Sequence, residues 1–209
     1  MTRSISPDAI RLVLVDDEHL IRSALATMLS LEEDLEVAGE AGDLARGADL
    51  AGELHPDVAV VDLQLPDGDG LELCARIAEL SPGTRCLILT SHPRPGYLKR
   101  ALAQGVLGFL PKTSGAGQLA EAVRAVATGR RVIDPELAAE TIASGDSPLT
   151  PREADVLEFA ADGAGIAQIA RRAHLAEGTV RNYLSSAQAK LQAQNRHEAV
   201  AIARRHGWI

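Results

Sequence analysis

The hydrophobic rhythm of this chain changes once, near residue 148, and no single architecture accommodates both halves. Before that point, continuous apolar runs at residues 10–15, 35–38, 58–61, 86–89 and 106–110 alternate with stretches of helical spacing. Leu20, Ile21, Ala24, Leu25, Met28 and Leu29 follow i, i+3, i+4 spacing, as do Leu119, Ala122, Val123 and Val126. Each set gives a helix one buried stripe. Runs without in/out alternation suit strands buried on both faces, and strand–helix alternation suits a parallel sheet covered by helices. The first segment is therefore expected to be a doubly wound α/β domain on a five-stranded parallel sheet.

After residue 148 no convincing strand remains, and the boundaries read as helix caps. Thr150-Pro151-Arg152-Glu153 sets a hydroxyl at the cap, proline at the first helical position and glutamate at the third, the pattern of a capping box. Asn195-Arg196-His197-Glu198 repeats that logic before Ala199, Val200, Ile202 and Ala203. Gly163-Ala164-Gly165 and Glu177-Gly178 read as turns on either side of residues 166–172, leaving about four short helices, the size of a helix-turn-helix module. The division predicted is 1–128, a linker over 129–148, and 149–209. Charge divides at the same place: the total is −8, with −10 before residue 149 and +2 after it. An acidic front half repels nucleic acid, whereas the tail tolerates it.

Composition removes several classes of function. Five aromatics, Tyr97, Phe109, Phe159, Tyr183 and Trp208, are too few for a stacking platform or a sugar cleft. Cys74 and Cys86 lie among apolar residues, which predicts reduced, buried thiols rather than a disulfide or metal site. No signal-peptide pattern opens the chain, and no apolar run approaches the ~20 residues of a bilayer span. The expectation is a cytoplasmic protein without a membrane partner.

In a doubly wound sheet, reactive side chains gather at the carboxyl ends of the strands, beside the point where strand order reverses. The sequence places Asp16-Asp17 after the first strand, Asp62 after the third, Thr90-Ser91 after the fourth and Lys112 after the fifth. Three converging carboxylates repel unless a cation sits among them, and an all-oxygen ligand set favours Mg²⁺ over zinc. A carboxylate can attack phosphorus to give an acyl phosphate when a metal and a cation offset the transferring charge. Asp62 is the candidate nucleophile, Lys112 the cation and Thr90 the hydroxyl donor.

These residues, with Val61-Asp62-Leu63-Gln64-Leu65-Pro66-Asp67-Gly68 and Phe109-Leu110-Pro111-Lys112, resemble the flavodoxin-like receiver domain of two-component response regulators over about residues 9–128. The resemblance implies that Asp62 accepts phosphate from a sensor histidine kinase. It also implies that Asp17, Asp62 and, through water, Asp16 hold Mg²⁺ with the backbone carbonyl of Gln64, that Lys112 pairs with the phosphate, and that Thr90 and Phe109 form the switch. Residues 149–209 are similar to the helix-turn-helix of the NarL/FixJ (LuxR-type) regulators, through Leu149–Leu157, Ile169-Ala170 and Glu177–Leu184. That likeness implies base contacts from Arg181 and Asn182, which can read guanine and adenine edges, and phosphate contacts from Thr179 and Lys190. The run Pro93-Arg94-Pro95-Gly96-Tyr97 and the triplet Arg181-Asn182-Tyr183 are most like the subgroup containing the regulator of a membrane-fluidity desaturase.

Three departures stand out. Ala176 replaces the usual serine cap of the recognition helix, Ile166-Ala167-Gln168 replaces polar and basic residues, and Ser185 stands where some relatives carry lysine. With a module charge of only +2, one copy should bind DNA weakly. The expected protein is a DNA-binding transcriptional regulator whose phosphorylation drives homodimerisation on promoter DNA, with RNA polymerase as a further partner. Leu20 and Ala24, Leu119 and Val123, and Val200 and Ala203 are the candidate pairing faces. It is not an enzyme beyond slow self-dephosphorylation. A Mg²⁺-dependent aspartyl phosphatase would need a carboxylic acid two residues after the nucleophile, where Gln64 stands. A ligand-responsive, phosphorylation-independent regulator would predict an incomplete acidic site.

Overall fold

The computed structural model describes residues 9–143, 145, 147–161 and 163–209. Its contacts divide the chain into two units, one running to Pro93 and continuing over Arg100–Asp134, the other made of Arg94–Lys99 and Pro135–Ile209.

The first unit alternates strand and helix: β1 (Ile10–Val15), α1 (His19–Leu29), β2 (Leu35–Ala41), α2 (Leu44–Leu54), β3 (Val58–Val61), β4 (Gln64–Leu65), β5 (Gly68–Asp69), α3 (Gly70–Leu80), β6 (Arg85–Thr90), α4 (Pro95–Ala103), β7 (Gly108–Pro111), α5 (Ala116–Ala127) and β8 (Val132–Ile133). The first turn of α4 belongs to the second unit. The main sheet runs β2-β1-β3-β6-β7-β8, and every pair is parallel. Strand order reverses between β1 and β3, so the crevice for chemistry lies at their carboxyl ends.

Six strands stand where five were expected. The addition, β8, is a two-residue edge strand beside β7, and β2 runs three residues beyond its predicted end. Leu12, Leu14, Val58, Val60, Leu87 and Leu89 form one sheet face, and Leu119, Val123 and Val126 of α5 pack into the same core. Aspartates start the helices at the strand ends: Asp43 accepts from Arg46 N and Asp69 from Leu71 N. Such caps satisfy first-turn amides.

The second unit is helical: α6 (Pro135–Ala143), α7 (Pro151–Ala161), α8 (Ile166–Arg172), α9 (Glu177–Lys190) and α10 (Arg196–Arg205). Part of the predicted linker is thus the ordered helix α6, which buries Leu137. Val156, Leu157, Phe159, Ile169, Val180, Leu184, Ala187, Ala199, Val200 and Ala203 close one aliphatic core. Arg94 is also buried in this unit, donating from Nη1 to Asp155 Oδ1 at 2.7 Å.

Both predicted caps form. Thr150 Oγ1 accepts from Glu153 N while Thr150 N donates to Glu153 Oε2, and Asn195 Oδ1 accepts from Glu198 N. Glu177-Gly178 does not turn. Both residues lie in the first turn of α9, and the chain reverses instead at His174, whose φ of 53° is left-handed.

Candidate functional site

Backbone register assembles the acidic site. Val15 of β1 lies opposite Val61 of β3, so the next residues, Asp16 and Asp62, leave the sheet side by side. Asp62 N donates to Val15 O at 2.8 Å and Asp16 N to Ala41 O at 3.1 Å, which fixes both backbones. Thr90 lies opposite Pro111, and Lys112 N donates to Thr90 O at 2.7 Å. Gly70 completes the frame, donating its N–H to Leu63 O at 2.8 Å. A Cβ there would fall 2.0 Å from Asp62 O, so only glycine lets α3 start so close to the end of β3.

Lys112 Nζ reaches Asp16 Oδ2 at 2.7 Å, Asp62 Oδ2 at 2.8 Å and Glu18 Oε1 at 3.1 Å. Asp16, Asp62 and Thr90 are buried. Burial raises the Asp62 carboxyl from 3.8 to about 6, against the opposing pull of Lys112 and with further elevation from Asp16. Burial likewise pushes Asp16 up. Lys112 is held above its ordinary value despite burial, because Asp62 and Asp16 favour its charge. Negative charge exceeds positive here, which is the electrostatic condition for taking up a cation.

Asp16, Asp17 and Asp62 can each offer a carboxylate oxygen, all within 4.8 Å of one another. Hard oxygen donors in that number suit Mg²⁺, which takes few protein ligands and keeps several waters. Gln64 opens the β4–β5 ribbon two residues after Asp62, and its N–H lies 3.4 Å from Asp62 Oδ1. Thr90 Oγ1 accepts from His92 N at 3.1 Å. Phe109 is 1% exposed, within the sheet core. Glu18 was not foreseen, since its approach to Lys112 spans 94 residues of sequence.

In the second unit α9 buries Val180, Leu184 and Ala187 and exposes Arg181 and Asn182, with Thr179 half-buried. Arg181 pairs with Glu177 one turn earlier at 2.8 Å, with both side chains half exposed. Lys190 is placed differently from a simple surface cation: its Nζ donates to Glu153 Oε2 at 2.7 Å. Ala176 supplies no side-chain cap to α9.

The candidate pairing residues separate sharply. Leu20 is 82% exposed and Ala24 is exposed. Leu119, Val123, Val200 and Ala203 are buried in the cores of their own units. An amphipathic stripe serves the nearest apolar surface first, and here that surface is the chain itself. The structure thus uses these four in the cores of their own units.

Residues 12–124 match the response regulator receiver domain, and residues 147–203 match the bacterial regulatory proteins of the luxR family. The chain is 40% identical over 205 residues to the response regulator RamR of Streptomyces coelicolor, covering 96% of this chain and 98% of that protein. It is 38% identical over 200 residues to the transcriptional regulatory protein DesR of Bacillus subtilis, covering 96% and 99%. Among solved structures, the response regulator ChrA of a heme-sensing two-component system matches with a TM-score of 0.56 and 31% identity, over 97% of this chain and 100% of that one. No described helix is long and apolar enough to cross a membrane.

Proposed function

Because this chain belongs to the two-component response regulators that join a receiver domain to a LuxR-type DNA-binding domain, we propose that Asp62 is its phosphoacceptor and that phosphorylation there drives dimerisation on promoter DNA. The observation that carries the proposal is a buried carboxylate at the end of β3, 2.8 Å from the Lys112 ammonium and grouped with Asp16 and Asp17.

The donor is a phosphohistidine of a sensor kinase. The N–P bond breaks, an Asp62 Oδ–P bond forms, and the leaving imidazole takes its proton from solvent. Asp16, Asp17, Asp62 and the Gln64 carbonyl would hold Mg²⁺, and the metal would supply charge neutralisation for the transferring group. Lys112 pairs with a phosphoryl oxygen. The Thr90 hydroxyl, already accepting from His92 N, donates its proton to another, and Phe109 follows Thr90 as the switch. Attack of water on the acyl phosphate returns the protein to its starting state slowly.

Phosphorylation stabilises a minor conformation rather than creating a new one. Pairing then draws on the exposed α1 face around Leu20 and Ala24, and places two copies of α9 on adjacent half-sites. Arg181 and Asn182 read base edges, while Thr179 and Lys190 meet phosphates. The protein works in the cytoplasm with its kinase, promoter DNA and RNA polymerase as partners.

The test is solution mass in Mg²⁺ with beryllofluoride, a mimic of the aspartyl phosphate, beside Asp62→Asn. Conversion of the wild type alone from monomer to dimer is expected. If neither protein changes mass, phosphorylation-driven assembly fails and ligand-responsive control takes its place.

A further inference from the structure

The capping box that opens α7 does more than start a helix. Glu153 is 4% exposed, and its carboxylate collects donors from two helices. Oε2 accepts from Thr150 N at 2.6 Å and from Lys190 Nζ at 2.7 Å, and Oε1 accepts from Ser186 Oγ at 2.6 Å. Ser186 and Lys190 are one turn apart near the end of α9, the helix that carries Arg181 and Asn182. Burial opposes the charge on Glu153, yet Lys190, Ser186 and Thr150 together hold its carboxyl down to about 2. The carboxylate is therefore ionised at neutral pH.

A second ion pair on α9 behaves differently. Glu177 and Arg181 are 50% and 60% exposed, so DNA can draw the arginine away at little cost. Glu153 has no such freedom. Its side chain is 5% exposed against 35% for Lys190, and losing the lysine would leave a carboxylate buried without its cation.

We propose that Glu153 is a positioning residue for the DNA interface, one that fixes the carboxyl-terminal half of α9 and cancels the charge of Lys190. Lys190 then meets a phosphate as a directed hydrogen-bond donor, and the pair contributes no net cation to counterion release. This rests on DNA binding by the second unit. It assigns that binding to fewer charges than the number of basic residues on the module indicates.

Salt dependence reads this directly, because each phosphate neutralised by a protein cation adds about 0.9 to the slope of log K against log salt. The full chain is titrated with a mixed-sequence DNA duplex at several salt concentrations, with melting temperature followed for each variant. Glu153→Gln keeps one acceptor oxygen for Thr150 N and turns the other into an NH2 that can donate to Ser186 Oγ, while the loss of charge releases the lysine, so its slope should steepen by about 0.9. The double variant Glu153→Gln/Lys190→Gln exchanges a neutral pair for a neutral pair and should run parallel to the wild type.

A wild-type slope in Glu153→Gln, or a double variant flatter by about 0.9, would show Lys190 to be an ordinary phosphate cation and overturn the proposal. If Glu153→Gln does not fold, the double variant decides alone. A merely structural glutamate would change melting without changing slope. Absence of wild-type binding would sink the DNA-binding reading, and this one with it.

Discussion

Lys112 and Lys190 meet buried carboxylates at nearly the same distances, 2.8 Å to Asp62 and 2.7 Å to Glu153, yet the two sites are electrostatic opposites. Around Lys112 one ammonium faces two buried aspartates and an outer glutamate, and Asp62 is pushed up to about 6. Around Glu153 one carboxylate receives an ammonium, a hydroxyl and an amide, and is held down to about 2. The difference is in the count of donors, not in the kind of pair. A carboxylate with surplus donors is finished and holds helices together. A set of carboxylates short of positive charge is unfinished, and an unfinished site is where a metal or a phosphoryl group gains most by binding.

The strongest way to break this comparison is to remove each lysine. Lys112→Met should cost roughly 3–5 kcal/mol at neutral pH, the penalty for a buried charge left without its partner. Millimolar Mg²⁺ should recover much of that loss. Lys190→Met should cost roughly 1–3 kcal/mol, because Ser186 and Thr150 still serve Glu153, and Mg²⁺ should recover none. Thermal unfolding with and without Mg²⁺ checks both, and equal rescue of the two variants would erase the distinction.

Gly70→Ala acts on the first site alone. With a Cβ placed 2.0 Å from Asp62 O, the start of α3 must shift, at a cost of about 3 kcal/mol. Phosphoryl uptake should fall while the salt slope of DNA binding stays put. Normal uptake by this variant would mean that the site tolerates movement of its strand end.

The two carboxyls should also titrate in opposite senses. Asp62 has a folded value above its ordinary 3.8, so metal-free protein takes up a proton there as the pH falls through about 6, before the unfolded chain does. The ionised site thus costs stability at neutral pH, and the cost disappears on acidification. Glu153 has a folded value below its ordinary 4.5. Its stabilisation is complete above that pH and is lost as the pH falls through about 2. Carboxyl carbon shifts measured across this range test the order, and a Glu153 midpoint above that of Asp62 would reverse the account.

The smallest effect is expected at α9, whose capping residue Ala176 offers no side-chain acceptor. Ala176→Ser should add about 1 kcal/mol, raising the melting temperature without altering phosphoryl uptake. No gain would mean that the amides of the first turn are already satisfied.

Much of this was legible because the informative signals are local. The caps at Thr150, Glu153 and Asn195 follow from spacing within one turn, and the carboxylates follow from where apolar runs end. Non-local features were not legible. The pair Val132-Ile133 is too short to read as a strand until β7 lies beside it, and α6 buries Leu137 alone among its residues, so no stripe announces it. The stripe of Leu119 and Val123 was visible, but amphipathic spacing does not say whether a helix faces a sheet or a partner. Glu153 was read as a cap, and its hold on Lys190 spans 37 residues of sequence.

The most direct test of the central claim is intact mass after incubation with Mg²⁺ and a small-molecule phosphodonor such as acetyl phosphate. The account predicts that the wild type gains the mass of one phosphoryl group, that Asp62→Asn gains none, and that removing Mg²⁺ by chelation prevents the gain. Undiminished uptake by Asp62→Asn, or by wild type in chelator, would contradict it.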